Sequence, residues 1–357
     1  MPLNHYVTLG HSGLRVSPLC LGAMTFGEDL GWGSSVKDSE AILDRYLDAG
    51  GNFVDTANMY TFGHSETILG NHLGKRRDRV VIATKFFTSL NPGDPNGGGA
   101  SRKSLTAACE QSLRRLKTDY IDLYWMHAWD HHTPIEETLR ALDDLVRAGK
   151  VRYLGFSDTP AWKVSQAQVT AQLRNWSPLI ALQIEYSMLE RTVEGELIPM
   201  ARELGLGVTP WSPLKGGLLS GKYTRENAGK GQTKREWNAS YLNEATYKVI
   251  DEVIKAAKEL DTSPARVALA WVMSSPGVTS TIIGARTMEQ LDQNLGALEV
   301  KLTDAQRAKL SEASKPSLSF PAEMLKMTPG LMHPDLTVNG QAATRIPYAP
   351  GPNDKVW

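Results

Sequence analysis

Three short apolar segments of this chain each stop at a single ionisable side chain, and that recurrence limits the folds open to it. Phe53 and Val54 leave a Gly50-Gly51 turn and halt at Asp55, with Tyr60 following in a polar stretch. Val80-Val81-Ile82-Ala83-Thr84 delivers Lys85. Tyr120-Ile121-Asp122-Leu123-Tyr124-Trp125-Met126 delivers His127. Parallel strands that each present one such group at the carboxyl end gather them on the C-terminal rim of a closed barrel.

The rest of the chain fits that geometry. Tyr6-Val7-Thr8-Leu9 and Leu14-Arg15-Val16 flank a glycine-containing turn and predict a hairpin within residues 5–18. Leu19-Cys20-Leu21-Gly22 reads as the first barrel strand. Val151 to Phe156, Ile180 to Ile184, Gly207 to Trp211 and Ser280 to Ile283 bring the strands to eight. Helical stripes alternate with them, such as Ile42, Leu43, Tyr46 and Leu47, or Leu105, Ala108, Ser112, Leu113 and Leu116 after the cap candidate Ser101. Thr133-Pro134-Ile135-Glu136 predicts a capping box with proline at the first helical position, and Thr159-Pro160 opens a further helix. Repeated βα units with right-handed crossovers predict an α/β fold, a (β/α)8 TIM barrel occupying residues 1–357 as one domain. Three segments lie outside the pattern. Ser89 to Ala100 is expected to be a mobile loop beside Lys85. Residues 215–243 form a long polar insertion with Trp237 and Tyr241. Residues 311–357 form a tail carrying Met324, Met327, Met332 and Trp357. Long loops of this kind are commonly lids or binding loops.

Charge narrows the function. Lysine plus arginine and aspartate plus glutamate each number 39, so no net charge steers the chain to nucleic acid or to a membrane surface. No apolar run approaches a membrane span, and the first residues lack a basic region followed by an apolar stretch. Two cysteines, Cys20 and Cys109, are too few for a disulfide framework and read as buried thiols of a cytoplasmic protein.

Asp55, Tyr60, Lys85 and His127, in this order and on these elements, resemble the catalytic tetrad of the aldo-keto reductases. Leu21-Gly22-Ala23-Met24, Gly155-Phe156-Ser157, Trp211-Ser212-Pro213-Leu214 and Gly284-Ala285-Arg286 resemble further phrases of that family, and the likeness runs over roughly residues 5 to 315. The resemblance implies a hairpin that plugs the barrel floor and an NADP-dependent carbonyl reductase. The residue types suit that chemistry on their own account. Hydride delivery to a carbonyl leaves charge on oxygen, so a weak acid must stand within hydrogen-bond reach. Tyr60 is the acid, and a neighbouring ammonium, Lys85, is expected to lower its pKa. Asp55 anchors Lys85, and His127 orients the carbonyl.

No Gly-x-Gly-x-x-Gly follows the first strand, so the nucleotide is expected elsewhere than in a Rossmann site. Gly284 allows close backbone approach, Thr287 caps the next helix, and Arg286 adds a fork for phosphate. The resemblance implies that this segment holds the 2′-phosphate and adenosine of NADP, with Gln290, Gln293 and Asn294 on the following turns. A plain capping box of Thr287 with Gln290 is compatible with that role. The likeness also implies that Trp211 stacks on the nicotinamide, although a core tryptophan is the alternative. It further implies that Ser157 and Gln183 bind the carboxamide, that Ser212, Leu214, Gly216 and Lys222 wrap the pyrophosphate, and that Gly22, Met24 and Asp55 face the cofactor. Residues 215–243 are expected to cover the bound nucleotide. Asp158 stands where the family usually has asparagine, so it is expected either to lose a carboxamide contact or to cap the helix after Thr159-Pro160.

Met24, Phe26, Met59, Tyr60, Phe86, Trp129 and the tail are expected to wall an apolar pocket for a neutral small-molecule aldehyde or ketone. Two other classes stay open. One is an NADP-binding regulatory or redox-sensing subunit that turns over poorly. The other is a metal hydrolase built on His127, Asp130, His131 and His132, whose spacing is poor for tetrahedral ligation, so no metal is expected.

Overall fold

A computed structural model describes residues 2–227 and 240–355; Trp237 and Trp357 lie outside them, as does part of the insertion at 215–243. The hairpin is formed by β1 (Val7–Thr8) and β2 (Arg15–Val16), with Val7 opposite Val16. Eight parallel strands follow: β3 (Leu19–Gly22), β4 (Phe53–Asp55), β5 (Val81–Phe86), β6 (Ile121–Met126), β7 (Val151–Ser157), β8 (Leu179–Glu185), β9 (Gly207–Trp211) and β10 (Thr281–Gly284). From β3 to β9 each strand pairs with the next in sequence, and β10 returns to β3 with Gly284 opposite Gly22. The ring is nearly closed between β9 and β10, where the Thr279 N–H donates to the Val208 carbonyl at 2.8 Å. The eight strands are those the sequence predicts, and the fold is a (β/α)8 barrel.

Helices cover the outside: α1 (Val36–Asp48), α2 (His64–Leu73), α3 (Arg102–Leu116), α4 (Ile135–Arg147), α5 (Ala161–Arg174), α6 (Leu197–Glu203), α7 (Glu244–Glu259), α8 (Pro264–Met273), α9 (Met288–Leu295) and α10 (Asp304–Ala313). Ser101 caps α3 by accepting from the Ser104 N–H, as its position predicts. The box predicted at Thr133-Pro134-Ile135-Glu136 does not form. Pro134, with ψ 135, is the N-cap residue of α4, and the Thr133 hydroxyl donates instead to Asp130 at 2.7 Å. The tail adds two short helical turns, α11 (Ala322–Leu325) and α12 (Thr328–Met332), and a second small hairpin, β11 (Thr337–Val338) with β12 (Gln341–Ala342).

Side chains alternate across each strand, so every second residue faces the barrel axis. On β5 this sends Val81, Ala83 and Lys85 inward, while Ile82 and Phe86 pack under the helices. The inner floor is built from Cys20, Phe53, Val81, Ala83, Leu123 and Trp125, with Leu9 and Val16 of the first hairpin packed among them. The hairpin is tied beneath the strands. The Ser17 N–H donates to Asn52 Oδ1 and Asn52 Nδ2 to the Arg15 carbonyl. Gly10, with φ +58, lies so close to the start of β8 that a Cβ there would fall 2.2 Å from the Ile180 carbonyl oxygen. Gly155 plays the same part in the barrel wall, where a Cβ would fall 2.2 Å from the Trp125 ring. Cys20 and Cys109 are both buried and unpaired. No helix of the described residues is long and apolar enough to cross a membrane.

Candidate active site

With the floor filled by apolar residues, the upper end of the barrel carries the polar ones. Asp55 ends β4, Lys85 lies one residue before the end of β5, and His127 follows β6 directly. Tyr60 opens the helical turn after β4. The structure brings these four together around the Lys85 ammonium. Lys85 Nζ donates to Asp55 Oδ2, to the Thr56 carbonyl at 2.8 Å and to the Tyr60 hydroxyl at 3.0 Å. The other Asp55 oxygen accepts from Gln183 Nε2 at 2.9 Å, a bond across the barrel mouth. The His127 ring stands edge-on to the Tyr60 ring, with centroids 5.9 Å apart. Its Nδ1 is buried with no partner among the described residues.

Electrostatics set the charge of each group. Burial works against the Lys85 ammonium, but Asp55 and Tyr60 more than offset it and hold its pKa above the ordinary lysine value. Desolvation, reinforced by Lys85, depresses His127 to about 3, so the imidazole is neutral near physiological pH. For Tyr60 the outcome differs from the sequence expectation. Lys85 does pull the phenol pKa down, but desolvation outweighs it, and the net shift is upward. Tyr60 is therefore a firmly protonated phenol beside a firmly charged ammonium.

The turn that holds Tyr60 is strained. Thr61, Phe62 and Gly63 take φ values of 46, 57 and 92. A β-branched residue in the left-handed region costs about 1–3 kcal/mol and persists only where its surroundings fix it. The Thr61 hydroxyl donates to the Phe26 carbonyl at 2.9 Å and accepts from the Ser65 N–H at 2.9 Å. One turn on, the buried Glu66 carboxylate accepts from Thr84 Oγ1 and from Arg115 Nε. Neither Thr61 nor Glu66 stands out in the sequence. The one available signal is Glu66 itself, an acid two residues before the apolar pair Ile68 and Leu69 on a core-facing helix.

A dinucleotide site is tested by what the rim leaves unsatisfied. The Ser157 hydroxyl is buried with no partner among the described residues, which suits a ligand amide. Gly284 has open space where a side chain would stand. Thr287 caps α9 by accepting from the Gln290 N–H, and Arg286 beside it makes no ion pair among the described residues. These residues fit an anionic nucleotide end at a helix N-terminus. Others are already engaged. Gln183 holds Asp55. Gln290 Oε1 turns back to the Arg286 N–H at 2.8 Å, Gln293 accepts from Ser263, and Asn294 donates to the Gly284 carbonyl. Ser212, with φ 52, accepts from the Gly216 N–H, Leu214 packs against the core, and Lys222 is exposed. Gly22 lies opposite Asp55 in the sheet, and Met24 is half-buried just beyond it. Asp158 does not cap α5; it takes a φ of 42 and accepts from the Trp211 indole N–H at 3.0 Å.

Two expected pocket residues are withdrawn. Phe26 and Phe86 expose no surface, because alternation sends Phe86 outward against Tyr124 and Phe26 lies in the outer core. Met59 is exposed, and Met24, Tyr60 and Trp129 are half-buried. Asp130 is occupied by the Ala100 and His132 N–H groups and by Thr133, and no cluster of three metal-ligating side chains occurs among the described residues.

The family model described as the aldo/keto reductase family matches residues 18–315. The uncharacterized oxidoreductase YrpG of Bacillus subtilis is 43% identical over 309 residues, covering 83% of this chain and 92% of that one. The putative aryl-alcohol dehydrogenase AAD14 of Saccharomyces cerevisiae is 36% identical, covering 90% of this chain and 89% of its own. A probable voltage-gated potassium channel subunit beta of Oryza sativa subsp. japonica is 38% identical, covering 83% and 91%.

Proposed function

The chain belongs to the aldo/keto reductase family, and we propose that it reduces aldehyde or ketone carbonyls to alcohols with NADPH, with Tyr60 as the proton donor. The observation that carries this reading is the hydrogen-bonded sequence Tyr60–Lys85–Asp55–Gln183 at the barrel mouth. The bound nicotinamide supplies the hydride. Tyr60 holds a proton at its hydroxyl and releases it to the carbonyl oxygen. Lys85 stands 3.0 Å away with a fixed charge to meet the phenolate left behind. Asp55 keeps Lys85 charged and aimed, and Gln183 keeps Asp55 from turning. Neutral His127 orients the carbonyl oxygen beside Tyr60. Ser157, Trp211, Gly284 and Arg286 hold the cofactor, and Arg286 favours the 2′-phosphate of NADP over NAD.

The relative named as an aryl-alcohol dehydrogenase directs the substrate choice to aromatic aldehydes and ketones. The relative named as a channel β subunit favours a second reading, an NADP-binding regulatory subunit with little turnover. Steady NADPH consumption with a panel of aryl aldehydes and ketones separates the two. The reductase reading expects sustained turnover. Tight NADPH binding with no turnover on any of the panel transfers the assignment to the regulatory reading.

A further inference from the structure

Asp158 sits at the end of β7 beside Ser157, and its only hydrogen bond from a side chain among the described residues comes from the Trp211 indole at 3.0 Å. Its own N–H donates to the Gln183 carbonyl at 3.2 Å, which fixes the backbone in the left-handed region. No cation contacts it among the described residues. The neighbouring carboxylate, Glu185, has the Lys215 ammonium at 2.8 Å. The charged or titratable groups acting on Asp158 are Glu185, Lys85 and Tyr60. The residue is exposed, but desolvation of its carboxyl by the surrounding rim, to which the Glu185 charge adds and against which the Trp211 N–H and Lys85 work, raises it to about 6. An exposed carboxylate held to an indole N–H, with no cation in contact among the described residues, is placed to meet a cationic ring that settles on that indole.

We propose that Asp158 positions Trp211 and that its charge biases the nicotinamide site toward the oxidised, cationic ring. The inference rests on the reading above, in which Trp211 covers the nicotinamide. In the reaction, two electrons and one hydrogen nucleus leave the dihydronicotinamide as hydride and bond to the carbonyl carbon. The ring changes from neutral to singly positive, and the carbonyl oxygen takes its proton from Tyr60. A fixed anion near the ring stabilises the product side of that charge change and leaves the neutral reduced ring almost untouched.

Asp158→Asn tests this directly. Asparagine keeps an acceptor for the Trp211 N–H and tolerates the left-handed backbone, so only the charge is lost. The dissociation constants of NADP and of NADPH are measured separately by quenching of protein fluorescence, above and below the Asp158 titration. At alkaline pH, the ratio of the NADP constant to the NADPH constant is expected to be about tenfold higher in the variant than in the wild type, with NADPH binding changed less than roughly twofold. The wild-type ratio should rise likewise as pH falls through about 6, and the variant should stay flat. Equal changes in both constants, or an unchanged ratio, overturn the role of Asp158 and leave the cofactor reading intact. Failure of the wild type to bind either dinucleotide overturns both together.

Discussion

Lys85 and Asp55 form an ion pair from which water is nearly excluded, with side-chain exposures of 0% and 3%. Removing one partner strands the other's charge in the barrel. Asp55→Asn is expected to cost about 3–5 kcal/mol of unfolding free energy, as is Lys85→Met. The double variant should cost clearly less than the sum of the two. Denaturant titration of the four proteins measures the cycle. Additive losses would mean that the pair is not coupled as the geometry requires.

His127 carries a pH signature in stability. Its folded pKa is depressed to about 3, below the ordinary histidine value. The unfolded chain therefore binds a proton that the folded protein refuses. Stability from this group is complete above the ordinary value of ~6.5 and is lost as pH falls from there towards the folded value. In denaturant titrations across that window, wild type should lose more stability than His127→Asn. Parallel curves would contradict a neutral buried imidazole.

Ser157→Ala separates a structural hydroxyl from a waiting one. The Ser157 Oγ is buried without a partner among the described residues, so its removal should leave the unliganded protein unchanged or more stable by about 1 kcal/mol. The gain in thermal stability on adding NADPH should shrink, because that gain follows the dissociation constant. A destabilised free protein with an unchanged NADPH effect would place the hydroxyl in the fold alone.

Arg286→Ala addresses cofactor choice. Losing a charge-assisted contact to the 2′-phosphate should weaken NADPH binding about 10- to 100-fold and leave NADH binding within roughly twofold. Calorimetry with the two cofactors reads the difference. Equal loss for both would move Arg286 from the phosphate to a general contact.

Much of the fold was legible because its signals are local. Eight short apolar runs with helical stripes between them need no distant information. Asp55, Lys85 and His127 were legible because each stands where an apolar strand ends. What depends on closure was not. The Asp55–Gln183 bond joins residues 128 positions apart and exists only once β4 and β8 face each other across the mouth. The upward shift at Tyr60 arises from tertiary desolvation, which outweighs the ammonium that sequence alone brings into view. Phe86 looked like a pocket wall until the alternation on β5, with Lys85 inward, turned it to the helices. The box at Thr133 failed because Asp130, three residues earlier, captured the hydroxyl.

The most direct test is NADPH oxidation by wild type and Tyr60→Phe with an aryl aldehyde, alongside NADPH binding by both. Proton donation by Tyr60 predicts a loss of about 10²–10⁴ in kcat with the dissociation constant unchanged. Equal rates in the two proteins would contradict the assignment of Tyr60 as the acid and, with it, the reading of the Lys85 cluster as the device that serves it.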